Sequence, residues 1–427
     1  MKNPYLRRIA QATICTCLST PLFAVSVGES TGEAWIDGPN QPGTNPLQPD
    51  VDVDKDGRSI FVWEATAEGN QKDIFLRIFQ VGGGEPSEPL KVNTYDADAQ
   101  HSPKVAINDD GSFMVAWLSE EEPEPGDGFL RPVVRSQLFD ASGTHDGDEQ
   151  LLSSLDLLIT IHKRFDMDVL PSGDYIVVWR SSQTPEPGDS SDSIQGRRVG
   201  LDGIPVGGQF QVNSTMTSAS ERYPGVTALS DGGFLVTWAE PQVHGRRFTQ
   251  DFAPLGNDFQ INTFITGDET RTVVDRHDDG RVLVVWQDEE ESGDEAEIRA
   301  RLYSPELVPI GNDFRINMLT ADSQQEPEVA AYGKEGFFVV WESRVTGGND
   351  VEPNSIEGRI VTGNNQFAGA QFLVNSWILD SQNDPGIGGK NGRIAIGWKS
   401  QSNSETTTNV IQGQFWSICG IFCNGFE

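Results

Sequence analysis

The chain has 427 residues, with 64 Asp and Glu against 31 Lys and Arg, a net charge of −33. So acidic a surface repels phosphate backbones and anionic lipid headgroups, which argues against nucleic-acid and membrane-surface partners. Forty-five Gly, 24 Pro and 36% hydrophobic residues describe a turn-rich globular protein rather than a disordered one.

In chain order, Lys2, Arg7 and Arg8 precede a mostly apolar run from Ile9 to Ala24, ending Pro21-Leu22-Phe23-Ala24. A basic head, an apolar stretch too short to span a bilayer and a small final residue read as a cleaved signal peptide over residues 1–24, followed by a linker over 25–32. No later apolar run approaches the ~20 residues of a spanning helix. The expected product is exported and soluble, without an integral membrane segment: extracellular, periplasmic or at the cell surface.

From there a repeat takes over. A tryptophan ends an apolar run at Trp63, Trp117, Trp179, Trp238, Trp286, Trp341 and Trp398, at intervals of 54, 62, 59, 48, 55 and 57 residues. A turn glycine sits upstream of each, at Gly57, Gly111, Gly173, Gly232, Gly280, Gly336 and Gly392. Each unit reads as four strands. In the second unit these begin with Pro103–Ile107, an Asp110-Gly111 hairpin turn and Phe113–Trp117, followed by an acidic loop and Val134–Phe139. The fourth strand carries Gly-x-x-Phe-x-Val/Ile-Asn, as at Phe210–Asn213, Phe259–Asn262, Phe314–Asn317 and Phe372–Asn375. The second unit departs from that pattern near Gln150-Leu-Leu152. Because the Trp strand is apolar at successive positions, both of its faces should be covered.

Seven four-stranded units of this length predict an all-β, seven-bladed β-propeller over residues 33–418. A fourth-strand signature at Ala34-Trp35-Ile36 comes before the first turn glycine, and none follows Ile411–Trp416. The N-terminal strand is therefore expected to complete the last blade, closing the ring and removing exposed sheet edges. The tail 419–427 holds Cys419 and Cys423, which are expected to pair in an oxidising compartment and close a small loop worth about 2 kcal/mol.

The pattern Asp231-Gly-Gly-Phe-Leu-Val-Thr-Trp238, followed by Gly-x-x-Phe-x-Val-Asn, resembles repeats in exported bacterial propeller proteins of unassigned function. The ending Ile421-Phe-Cys-Asn-Gly-Phe-Glu427 resembles C-terminal tails on secreted proteins of some Gram-negative bacteria. The resemblance implies a fold and a compartment rather than an activity.

With the N-terminal strand outermost, short Asp-Gly hairpins lie on one face of the ring. Long acidic loops such as Ser119–Asp127, Gln183–Asp189 and Gln287–Glu297 lie on the other, where function usually sits. Aligning the units places Gln48, Ser102, Arg164, Tyr223, Arg271, Glu326 and Asp384 around the axial mouth of the loop face. Arg164, Tyr223, Arg271, Glu326 and Asp384 form the candidate ligand site, suited to a carboxylated or hydroxylated ligand. Two Arg and a Tyr there resemble sialidase-type propellers, but the Ser-x-Asp-x-Gly-x-Thr-Trp boxes of that family are absent.

Asp52-Val-Asp54-Lys-Asp56-Gly57 has the opening of a calcium loop, although its twelfth position is Trp63 where Glu is needed. Asp52, Asp54 and Asp56 are thus candidate calcium ligands, and no other cofactor is expected. No serine-hydrolase elbow, phosphate loop or zinc signature is present. The expectation is a monomeric, non-catalytic module binding a protein or glycan through its loop face. A carbohydrate-active hydrolase or lyase at the mouth, with Glu326 and Asp384 as acid and base, is the alternative.

Overall fold

The structure, a computed structural model, describes residues 29–30, 33–38, 44–67, 71–81, 86–122, 130–153, 165–181, 193–214, 222–263, 268–289, 296–320, 323–333, 336–344, 354–376, 381–401 and 409–417. The expected signal peptide, Arg164, the apolar Leu155–Ile161 segment, most of the acidic loops and the Cys419–Cys423 tail lie outside the described residues.

Seven antiparallel sheets form the ring, each meandering outward from the axis. Blade 1 runs Thr44–Val53, Ser59–Thr66, Lys72–Phe79 and Leu90–Lys91. Blade 2 begins at Gln100–Ile107, blade 3 at Phe165–Val169, blade 4 at Arg222–Ala228, blade 5 at Asp268–Arg276, blade 6 at Ser323–Tyr332 and blade 7 at Gln382–Lys390. These seven first strands neighbour one another around the axis, blade 7 meeting blade 1. This is the seven-bladed β-propeller that the repeat predicts.

The repeated residues now have mechanical roles. Seven apolar clusters fill the seven gaps between blades, and each holds one of the repeat tryptophans, all at most 1% exposed. Trp117 on blade 2, for example, packs with Ile60, Val62 and Leu76 of blade 1. The Trp strand is sandwiched on both faces, and Tyr175–Ser181 is buried at every position. The hairpin glycines Gly57, Gly111, Gly173, Gly232 and Gly280 have φ of 87–90°, a conformation that is costly for a residue with a Cβ.

The fourth-strand Asn caps its neighbour. Asn93, Asn213, Asn262, Asn317 and Asn375 accept, through Oδ1, the amide of a third-strand residue (Ile74, Ile194, Val243, Ile298 and Ile356) at 2.7–3.1 Å. In blade 2, where the motif lapses, Ser153 Oγ accepts the Val134 amide instead at 2.9 Å. The job survives the change of residue.

Closure of the ring repeats these contacts. Ala34–Trp35 pairs with Gln412–Gly413 of the last strand of blade 7, as does Glu29–Ser30 with Trp416–Ser417. Asp37, wholly buried, sits where other blades have Asn and faces the Ile411 amide. Arg77 of blade 1 donates to the Ile36 carbonyl at 3.0 Å, as Arg246 does to Val212 and Arg359 to Ile316 at other blade junctions. Glu33 accepts the Ser376 amide as Asp258 accepts that of Ser214. The N-terminal segment is thus a full substitute for the missing fourth strand.

Candidate functional site

The axial mouth is built by a deformation repeated from blade to blade. Near the start of the first strand the register slips in six blades, between Leu47 and Asp50, His101 and Lys104, Arg222 and Gly225, Thr270 and Val273, Gln325 and Glu328, and Asn383 and Gly386. Inside each slip one residue is left-handed: Gln48, Ser102, Tyr223, Arg271, Glu326 and Asp384, with φ of 50–55°. Non-glycine residues in that region cost on the order of 1 kcal/mol each. A proline, which has no N–H to strand, follows five of the six (Pro49, Pro103, Pro224, Pro327 and Pro385). Bulges of this kind re-aim side chains, and here they bring Gln48, Ser102, Tyr223, Arg271 and Glu326 to the mouth.

The bulged amides are held from the blade behind. Glu64, next after Trp63, accepts the Ser102 amide at 2.8 Å. Gln287, next after Trp286, accepts that of Glu326 at 3.2 Å, and Glu342, next after Trp341, that of Asp384 at 3.4 Å. Burial opposes the charge on Glu64, yet bonds from His101, Lys72 and the Ser102 amide outweigh it and lower its pKa. The position after the Trp is therefore part of the site's support, a role the sequence pattern alone leaves unmarked.

The predicted ring residues meet in groups rather than as one cluster. Arg271 forms an ion pair with Glu326 and lies over the Tyr223 ring, its guanidinium carbon 5.4 Å from the centroid. Ser102 Oγ bonds Gln48. Asp384 is tied to Lys399 at 3.1 Å, beside the mouth rather than in it. Gln48, Ser102, Tyr223, Arg271 and Glu326 line an axial cavity of about 380 Å³, to which blade 7 contributes Pro385. Its volume falls toward the lower end of small-ligand pockets, which span roughly 300–1,000 Å³.

Below the mouth the cavity is lined by first-strand carboxylates, of which sequence reasoning singled out only Asp52, as a candidate calcium ligand. Asp50 and Asp52 of blade 1 accept the amides of Val105 and Ile107 in blade 2, at 2.9 and 2.8 Å. Asp166 and Asp168 of blade 3 do the same for Val226 and Ala228 of blade 4, and Asp275 of blade 5 for Ala331 of blade 6. Burial pushes Asp52 and Asp275 up to about 7 and Asp166 to about 6, and raises Asp168. Lys104 reaches among them, 3.1 Å from Asp50 and 3.7 Å from Glu328. Burial works against its charge, but Asp50, Glu328 and Asp166 together raise its pKa. An alternation of Asp on these strands, as in Asp50-Val-Asp52 and Asp166-Met-Asp168, was the available signal.

The three candidate calcium ligands are engaged separately. Asp52 bridges to blade 2 and bonds the Val53 amide at 2.7 Å. Asp54 accepts the Asp56 and Arg58 amides, both at 2.9 Å, and the Arg58 guanidinium at 3.0 Å. Asp56 is exposed at the hairpin tip. A cation at this hairpin would have to displace Arg58 from Asp54. Among the described residues no three His, Cys, Asp or Glu are grouped to hold a metal ion.

Fold and site together define a class, a seven-bladed propeller with a polar axial cavity. No family model matches the chain, and no curated protein does. It is similar in structure to a protein of unknown function from Dyadobacter fermentans DSM 18053, with TM-score 0.53, 10% identity, and coverage of 91% of this chain and 99% of that one. A polysaccharide lyase aligns with TM-score 0.53 and 10% identity, over 90% of this chain and 94% of the other. At that identity the likeness is one of fold. Among the described residues no helix is long and apolar enough to cross a membrane.

Proposed function

We propose that the protein is an exported, non-catalytic propeller that binds a glycan at the axial mouth of its loop face. The observation that carries the reading is the repeated bulge, which in five blades holds a polar or aromatic side chain at the cavity rim in a strained conformation. Strain repeated at one level of a scaffold and supported from behind is what a pre-organised binding surface requires. Tyr223 beside Arg271 supplies an aromatic face next to hydrogen-bond donors, a combination suited to a sugar ring. The fold shared with a polysaccharide lyase is compatible with a glycan ligand.

Glu326 and Asp384, the acid and base of the hydrolase or lyase alternative, are each held by a cation of their own, Arg271 and Lys399. That arrangement favours positioning over proton transfer. The test is a melting-temperature screen of the full chain against polysaccharides of varied composition, with calcium and chelator as separate arms. Binding to the folded state alone raises stability by RT ln(1 + [L]/Kd). A rise with a glycan that is lost in Tyr223→Ala is the expected result, and no rise with any glycan refutes the reading. Shortened or unsaturated products that vanish in Glu326→Gln would make the protein an enzyme.

A further inference from the structure

The axial cavity carries a charge pattern that speaks to ligand chemistry. Among the described residues ten Asp and Glu line it against five Lys and Arg, and burial pushes four of the ten, Asp52, Asp166, Asp168 and Asp275, toward the neutral form. Four of those cations are already engaged. Lys104 is paired with Asp50 and Glu328, and Arg271 with Glu326. Lys55 donates to the Asp109 carbonyl at 2.8 Å, and Arg276 to the Ala228 carbonyl at 2.8 Å. Lys390 lies within the fields of Asp52 and Asp168, where its charge offsets part of the rise that burial causes.

At the mouth an anionic ligand would therefore have to break the Arg271–Glu326 pair or reach past it to Lys104, which Asp50 and Glu328 already hold. Displacing Glu326 from Arg271 would leave that carboxylate facing the newcomer, and like charges at such range repel. A hydroxyl faces no such obstacle. It can donate to a carboxylate and accept from a guanidinium or ammonium without separating them, as paired charges keep unused lone pairs and N–H groups.

We infer that the cavity takes an uncharged, polyhydroxylated ligand, the end of a neutral oligosaccharide, and rejects uronate or sulfated sugars. This rests on the glycan reading above and chooses the hydroxylated over the carboxylated of the two ligand classes suggested by the ring residues. Because the lining runs from Gln48 and Tyr223 at the mouth to Lys55 and Asn391 near the hairpin face, the ligand enters along the axis, by a chain end.

The experiment compares neutral oligomers of galactose, glucose, xylose and arabinose with oligomers of galacturonate and glucuronate of equal length. Affinities are measured on the full chain by calorimetry at 0.05 and 0.5 M salt. The expected result is binding of at least one neutral oligomer with no more than a twofold change across that salt range, and at least tenfold weaker binding of the uronates. The same neutral ligand should lose at least tenfold in Tyr223→Ala. If that variant does not fold, the salt series on the unaltered chain decides alone, since screening weakens only a charged ligand. Uronates binding as tightly as neutral sugars or tighter, and losing affinity in Arg164→Ala or Arg271→Gln, would overturn the charge argument while leaving glycan binding intact. Silence from both panels would overturn both.

Discussion

Glu269 offers a direct test of how the blades are held together. In blades 2, 6 and 7 a glutamine stands two residues before the bulged mouth residue and accepts the indole N–H of the repeat tryptophan: Gln100 from Trp117 at 2.7 Å, Gln324 from Trp341 at 2.6 Å and Gln382 from Trp398 at 2.8 Å. Blade 5 has Glu269 in that position. It is 2% exposed, is hydrogen-bonded to Asn262, and leaves the indole nitrogen of Trp286 without a partner among the described residues. Burial first, and the nearby charge of Asp288 second, push its carboxyl from 4.5 up to about 8. The folded protein therefore holds this proton at pH 7 and the unfolded chain does not. At about 1.4 kcal/mol per pH unit, taking it up costs on the order of 3 kcal/mol at pH 7. Because the native state binds the extra proton, stability falls as pH rises from 4.5 and levels off above 8. Glu269→Gln keeps the shape and removes the proton, so its advantage should be small at pH 5, about 3 kcal/mol at pH 7 and greatest at pH 8. Urea unfolding of both proteins at the three pH values measures it. A variant less stable at pH 7, or an advantage that does not change with pH, would refute the reasoning.

Trp179→Ala should cost about 3–5 kcal/mol, because the side chain is wholly buried between blades 2 and 3; an unchanged melting temperature would mean that it is not core. Tyr223→Gly should be more stable than Tyr223→Ala by about 1 kcal/mol, since only glycine adopts φ near 50° without penalty; equal denaturation midpoints would disprove the left-handed conformation. Lys104→Met should cost about 3 kcal/mol by leaving Asp50 and Glu328 without their cation; an unchanged urea midpoint would count against the pairing.

The ring was legible because its construction demands the same side chain in every blade. Each gap between blades needs a large buried group and gets Trp; each inner hairpin needs a left-handed residue and mostly gets Gly. The closure was legible too, since Trp35-Ile36-Asp37 keeps the spacing of a fourth strand. Alignment reached five residues that line the cavity, but not the left-handed backbone there and at Asp384, because it falls on Gln, Ser, Tyr, Arg, Glu and Asp rather than on glycine. Five following prolines were the trace it left. Pairings were illegible. Arg271 and Glu326 lie 55 positions apart, Asp168 and Ala228 60 apart, and nothing local marks either as a contact. Only the one-blade offset, applied after the ring is known, brings them together.

The Glu33–Asp37 segment has a consequence for how the molecule comes apart. In a linear array of repeats the end units have one neighbour and fray first, and unfolding spreads inward from them. Here the strand that would form one loose end is fastened to the blade that would form the other, by backbone pairing at Ala34 and Trp35, the Arg77 brace and the Glu33 bond to Ser376. Every blade then has two neighbours. A protease or a mechanical load meets no terminal unit to peel, and opening must begin by breaking this seam, whose partners are about 380 residues apart in sequence and slow to find each other again once parted. The seam makes durability a property of the circle rather than of any one blade.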